Sequence, residues 1–83
     1  MIMPRTKIVE SSWDYLLEKD GDGKIYFEVV CGTVAIYTIC FQLTNEEINQ
    51  WQQLGETFLR HLSYDVRDHP KTYIERRNRE SLL

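Results

Sequence analysis

The sequence predicts an α+β domain: an antiparallel β-meander of three to four strands with one long amphipathic helix packed on one face, and a short C-terminal helix as an open addition. Three observations carry this. Apolar and polar residues alternate over Lys24–Val30, the period of a strand with one buried face. From Ile48 to Val66 the apolar residues instead recur at steps of three and four, the period of a helix. Glycine-bearing turns, Asp20-Gly21-Asp22-Gly23 and Cys31-Gly32, punctuate the first half of the chain at hairpin spacing.

Composition bounds what can be built. Eighty-three residues make one domain, and a chain of that size buries only about 60 to 65% of its unfolded surface. Its core must be thin. With 42% apolar residues, 12% aromatic, four Gly and two Pro, most of the chain should be ordered. A formal charge of −3 argues against bulk attraction to nucleic acid or an acidic membrane. No apolar run approaches a signal peptide or a membrane span, so the expected location is the cytoplasm, away from any membrane. Two cysteines, Cys31 and Cys40, without metal-like spacing, fit a reducing compartment.

In chain order, residues 1–12 are a polar lead-in whose Ile8-Val9 pair would make a short edge strand. Residues 13–43 form the meander. Trp13 to Lys19 reads as its first strand, ending at the Asp20–Gly23 turn. An odd-length connection there sends Trp13, Tyr15 and Leu17 to the core face. Lys24–Val30 follows, with Ile25, Phe27 and Val29 on one side. Taking Cys31-Gly32 as a two-residue turn places Val29 opposite Val34 and Phe27 opposite Ile36, because register in a hairpin follows loop length. The core face is then Ile25, Phe27, Val29, Val34 and Ile36. The reverse face carries Tyr26, Tyr37, Ala35, Ile39 and Phe41, too apolar to be left in water.

The main helix, 44–67, announces its start. Thr44 followed by Glu47 is a capping box, and Leu43 with Ile48 is the hydrophobic staple that accompanies it. Ile48, Trp51, Leu54, Phe58, Leu62 and Val66 line one stripe, with Leu59 on its flank. Gly55 on the same side implies close backbone approach to the surface beneath. Asp68-His69-Pro70 ends the helix, and Pro70 is suited to open a new one. Residues 68–83 are therefore a basic tail or a short helix anchored by Tyr73 and Ile74, with Arg76, Arg77 and Arg79 outward.

Chemistry is poorly represented. The Asp20–Ile25 stretch resembles part of a calcium loop, yet in the twelve-residue frame the last position is Val29 rather than a bidentate glutamate, and a strand follows. Asp65, Asp68 and His69 could cluster, a group that commonly caps a helix end. In the register above the cysteines lie at opposite ends of one strand, about 25 to 30 Å apart, which excludes a mutual disulfide or shared zinc. No phosphate loop, nucleophile elbow or paired-carboxylate motif occurs. The expectation is a protein without enzymatic activity, cofactor or metal.

Leu43-Thr44-Asn45-Glu46-Glu47, Trp51, Leu54-Gly55, Phe58-Leu59, Leu62, Val66-Arg67, His69-Pro70 and Tyr73, following a short meander, resemble the layout of small bacterial immunity proteins of polymorphic toxin systems. The likeness covers the last half of the chain. It implies a non-catalytic protein that masks a toxin's active site by surface complementarity.

The expected function is accordingly protein binding, through Tyr26, Tyr37 and Ile39 on the reverse sheet face, helped by Tyr73, Arg76, Arg77 and Arg79, since aromatics and Arg dominate interface energetics. The alternatives for that face are that the N-terminal lead-in or the C-terminal tail folds over it, or that it pairs two copies as a homodimer. The rival class is a small nucleic-acid-binding or regulatory protein that uses the C-terminal arginines with Tyr73.

Overall fold

The computed structural model of the chain describes residues 6–32 and 34–81, with side chains described as far as Arg76. The alternating segments are antiparallel strands: β1 (Thr6–Ser11), β2 (Tyr15–Lys19), β3 (Ile25–Cys31) and β4 (Tyr37–Gln42), laid side by side in chain order. The periodic segments are helices, α1 (Asn45–Leu54), α2 (Glu56–Asp68) and α3 (Pro70–Ser81), so the domain is α+β as its sequence predicts. The lead-in is an edge strand, with a register shift between Lys7 and Val9. Such an irregularity blunts an edge against further pairing.

The β2–β3 connection behaves as expected. Lys19 opposes Ile25, leaving an odd connection, 20–24, that puts Tyr15 opposite Val29 and Leu17 opposite Phe27 on the buried face. Asp20 shapes it, its Oδ1 accepting from the Asp22 amide at 3.0 Å and the Lys24 amide at 2.9 Å. Partial desolvation pushes the Asp20 carboxyl up, but these amides prevail and hold it below the usual carboxylate range.

The β3–β4 connection does not. Cys31 opposes Tyr37, so the pairing does not follow from the two-residue turn expected at Cys31-Gly32. Gly32 explains why the chain does not turn at once: at φ 98° it leads into a loop where an added Cβ would lie 2.1 Å from the Ala35 carbonyl oxygen. No other residue fits there. Val29 therefore opposes Ile39 and Phe27 opposes Phe41, a displacement by an odd number of residues that reverses both faces of β4. Ile39 and Phe41 enter the core, whereas Val34 and Ile36 are 99% and 67% exposed. The cysteines fall on neighbouring strands, Cys31 buried and Cys40 half-buried on the reverse face.

The capping box forms as written, with Thr44 accepting from the Glu47 amide at 3.2 Å and Glu47 from the Thr44 amide at 2.8 Å. Leu43 is buried and Ile48 packs against the same core. The helical stretch runs nearly to its expected end but is divided at Gly55, which adopts φ 65°, ψ −142°. Its N–H closes α1 on the Trp51 carbonyl at 2.7 Å, and its carbonyl opens α2 by accepting from Phe58 at 3.1 Å. An added Cβ would meet nothing within 4 Å. The glycine thus serves a backbone angle and not the close approach expected for it. Bending there leaves Leu54 exposed while Leu59, Leu62 and Val66 sink onto the sheet.

Pro70 opens α3, which lies along β4 and sends Tyr73 into the core. Tyr15, Phe27, Phe41 and Tyr73 form a chain of rings at centroid distances of 5.5, 6.0 and 4.9 Å, the spacing of tilted and edge-on aromatic contacts.

Candidate functional site at the open end of the sheet

Of the residues expected at a partner surface, three are structural. Ile39 is fully buried, a consequence of the altered register, and Tyr73 is 8% exposed against Phe41. Burial and the nearby Asp65 carboxylate, to which its hydroxyl donates, push the Tyr73 phenol well up. Arg76 is a clamp: Nη1 and Nη2 donate to Glu47 at 3.1 and 2.6 Å, Nη2 also reaches the Gln42 carbonyl at 2.5 Å, and the guanidinium lies 4.6 Å above the Phe41 ring. One side chain therefore ties α3 to the start of α1 and the end of β4. Desolvation raises the Glu47 carboxyl, but Arg76 and the Thr44 amide outweigh it and hold it below its ordinary value. Tyr26 stays half-buried on the reverse face, bonded to Asp20. Tyr37 is 43% exposed where β4 begins. The side chains of Arg77 and Arg79 lie outside the described residues.

The reverse face is not the greasy surface expected. With Ile39 and Phe41 turned inward, its central row reads Glu10, Leu16, Glu28, Cys40, and the next carries Lys7, Glu18, Tyr26 and Gln42. That face is acidic and mixed, as a solvated side of an antiparallel sheet is.

Among the described residues, four of the seven exposed large apolar side chains, Trp13, Val34, Ile36 and Tyr37, lie instead toward one end of the sheet, with Ile8, Leu54 and Tyr64 elsewhere. Trp13, expected in the core, is 83% exposed, because the chain leaves the extended conformation at Ser12 and Trp13 takes φ 61°. A bulky residue in that region is strained, and such strain is found at functional sites more often than elsewhere. The Asp14 amide donates to Ser11 to close this turn, and the Val30 amide donates to the Asp14 carbonyl at 2.9 Å. The Trp13 turn thus lies beside the last residues of β3, at the same end of the sheet from which the chain leaves toward the exposed Val34 and Ile36. Arg67 holds the turn from α2: Nη2 donates to the Asp14 carbonyl at 2.9 Å and carboxylate at 2.5 Å, and Nε to the Val30 carbonyl at 3.0 Å.

Beside Trp13 lies an open cleft of about 160 Å³, lined by Glu10, Ser11, Ser12, Asp14, Tyr15, Leu16, Glu28 and Val30. Sequence reasoning missed Trp13, Val34, Ile36 and this cleft. The available signal was Gly32 followed by an apolar run with no alternation, which reads as a strand unless the glycine is taken as the start of a loop.

The helix exit brings together only part of the expected acid–histidine group. His69 Nδ1 is 3.3 Å from Asp65 Oδ1, both well exposed, and His61 is exposed apart from them. Among the described residues no group of three or more His, Cys, Asp or Glu is placed to hold a metal ion, and no helix is long and apolar enough to cross a membrane. No protein-family model, no curated protein and no solved structure matches the chain.

Proposed function

We propose that the chain is a non-catalytic protein-binding module whose contact surface is the open end of the sheet, centred on Trp13, Val34, Ile36 and Tyr37. One observation carries this: four large apolar side chains stand exposed on two segments that leave the same end of the sheet. Contiguous apolar surface on a small domain marks a partner site, and a projecting Trp is the residue type that most often anchors one. The resemblance of the sequence to small bacterial immunity proteins favours inhibition, by masking a partner's working surface, as the form this binding takes. A homodimer through the reverse face would set Glu10, Glu18 and Glu28 against their own copies, which opposes it. The nucleic-acid reading draws less support, because Tyr73 and Arg76 are spent on internal contacts.

Quantitative pull-down from native lysate tests the reading. A Trp13→Ala, Ile36→Asp double variant with unchanged melting behaviour should lose a protein that the wild type captures. Equal capture by both would overturn the reading.

A further inference from the structure

We propose that the cleft beside Trp13 receives a cationic side chain, a guanidinium above all, from a basic segment of the protein partner. The inference rests on the protein-binding reading for its occupant, and the cleft supplies the chemistry. Leu16 forms its floor, and the register places Glu10 directly across from Leu16 on one side and Glu28 on the other. Their backbones are two strand spacings, about 10 Å, apart. Two carboxylates flanking that gap suit the fork of a guanidinium, which offers donors on both edges. The apolar stem of the same side chain would lie along Leu16 and Val30, and the exposed Trp13 ring offers a π face to the cation.

Neighbouring charges leave these two glutamates as the receiving groups. Asp14 is already held by Arg67 at 2.5 Å. Glu10 meets Lys7 at 3.1 Å, but both are more than half exposed, and a pair of that kind is worth little and exchanges readily. The Lys7 ammonium is thus an exposed, exchangeable partner of Glu10 that an incoming cation can displace. Across the reverse face Glu10, Glu18 and Glu28 outnumber Lys7 among the described residues, so the field beyond the cleft also attracts a basic segment and repels nucleic acid and anionic bilayers.

The test is an NMR titration of the full chain with the blocked tripeptide Gly-Arg-Gly, its citrulline analogue and its norleucine analogue. The arginine peptide should shift the Trp13 indole N–H and the Leu16, Glu28 and Val30 amides saturably. It should bind about tenfold more tightly than the citrulline peptide, which keeps the shape and loses the charge. Glu10→Gln and Glu28→Gln, each with an otherwise unchanged spectrum, should weaken it about two- to fivefold. Equal shifts from the norleucine or citrulline peptide, shifts spread over acidic residues elsewhere, or no saturable shift would overturn the proposal. In the lysate assay, loss of capture by the Trp13, Ile36 variant with full capture by a Glu10→Gln, Glu28→Gln variant would sink the cation site and leave protein binding standing. Retained capture by the Trp13, Ile36 variant would sink the protein-binding reading, while the tripeptide result still judges the cleft.

Discussion

Arg67 and Asp14, fifty-three residues apart, are joined by a 2.5 Å ion pair, and the same guanidinium also donates to the Asp14 and Val30 carbonyls. Both side chains are about two-thirds covered. This contact fastens α2 to the end of the sheet and holds the turn that displays Trp13.

Arg67→Met should destabilise the domain by about 2 kcal/mol, since it strands partly buried acceptors, and should broaden or shift the Trp13 indole resonance. Lys in its place should recover little, because an ammonium cannot span the three acceptors. Urea denaturation with the indole signal checks both, and a stable variant with an unmoved indole would contradict the role given to this pair.

The break at Gly55 makes a purely conformational prediction. Gly55→Ala should cost about 1 to 3 kcal/mol, because φ 65° with ψ −142° is closed to L residues although the space around the position is open. D-Alanine, introduced by chemical synthesis, should be tolerated or stabilising. Equal melting temperatures for the L and D forms would show that the angle is not what selects glycine.

The register of β4 is tested by paired substitutions. Ile36→Asp should change stability by less than about 0.5 kcal/mol, as exposed positions do. Ile39→Ala should cost about 2 to 5 kcal/mol through lost burial and the cavity left behind. The two-residue turn at Cys31-Gly32 would require the opposite order, so chemical denaturation of the two variants separates the registers.

Acid should loosen the α3 clamp. Because the folded protein holds the Glu47 carboxyl below its ordinary value, the folded state binds that proton less readily than the unfolded chain does. Its contribution is present above the unfolded value, about 4.3, and is lost as pH falls through the lower, folded value. Glu47→Gln should therefore lower stability at pH 7 and flatten its acid dependence. Parallel profiles for wild type and variant would show that other groups set the acid limb.

What could be read along the chain was whatever is decided within a few residues. Thr44 and Glu47 satisfy each other's amides wherever that segment is placed, so the helix start was legible. Asp20 gathers the amides of its own loop, and the odd connection it shapes sends Tyr15 and Leu17 inward as expected. Pro70 opened α3 for a similarly local reason.

The candidate site was not legible, because it depends on the parity of one loop. Val34 to Leu43 is apolar on both faces, so either register of β4 offers the core a hydrophobic side, and alternation alone has no power to choose. Trp13 likewise shares the parity of Tyr15 and Leu17, and only the positive φ at its own backbone removes it from their face. By itself the sequence determined the element types, the helix cap and the acidic balance, since each follows from local bonding or composition. Tertiary structure alone decided which apolar residues remain outside, because the packing of Ile39 and Phe41 against Phe27 and Tyr73 selects one strand register and leaves Val34 and Ile36 with no place in the core.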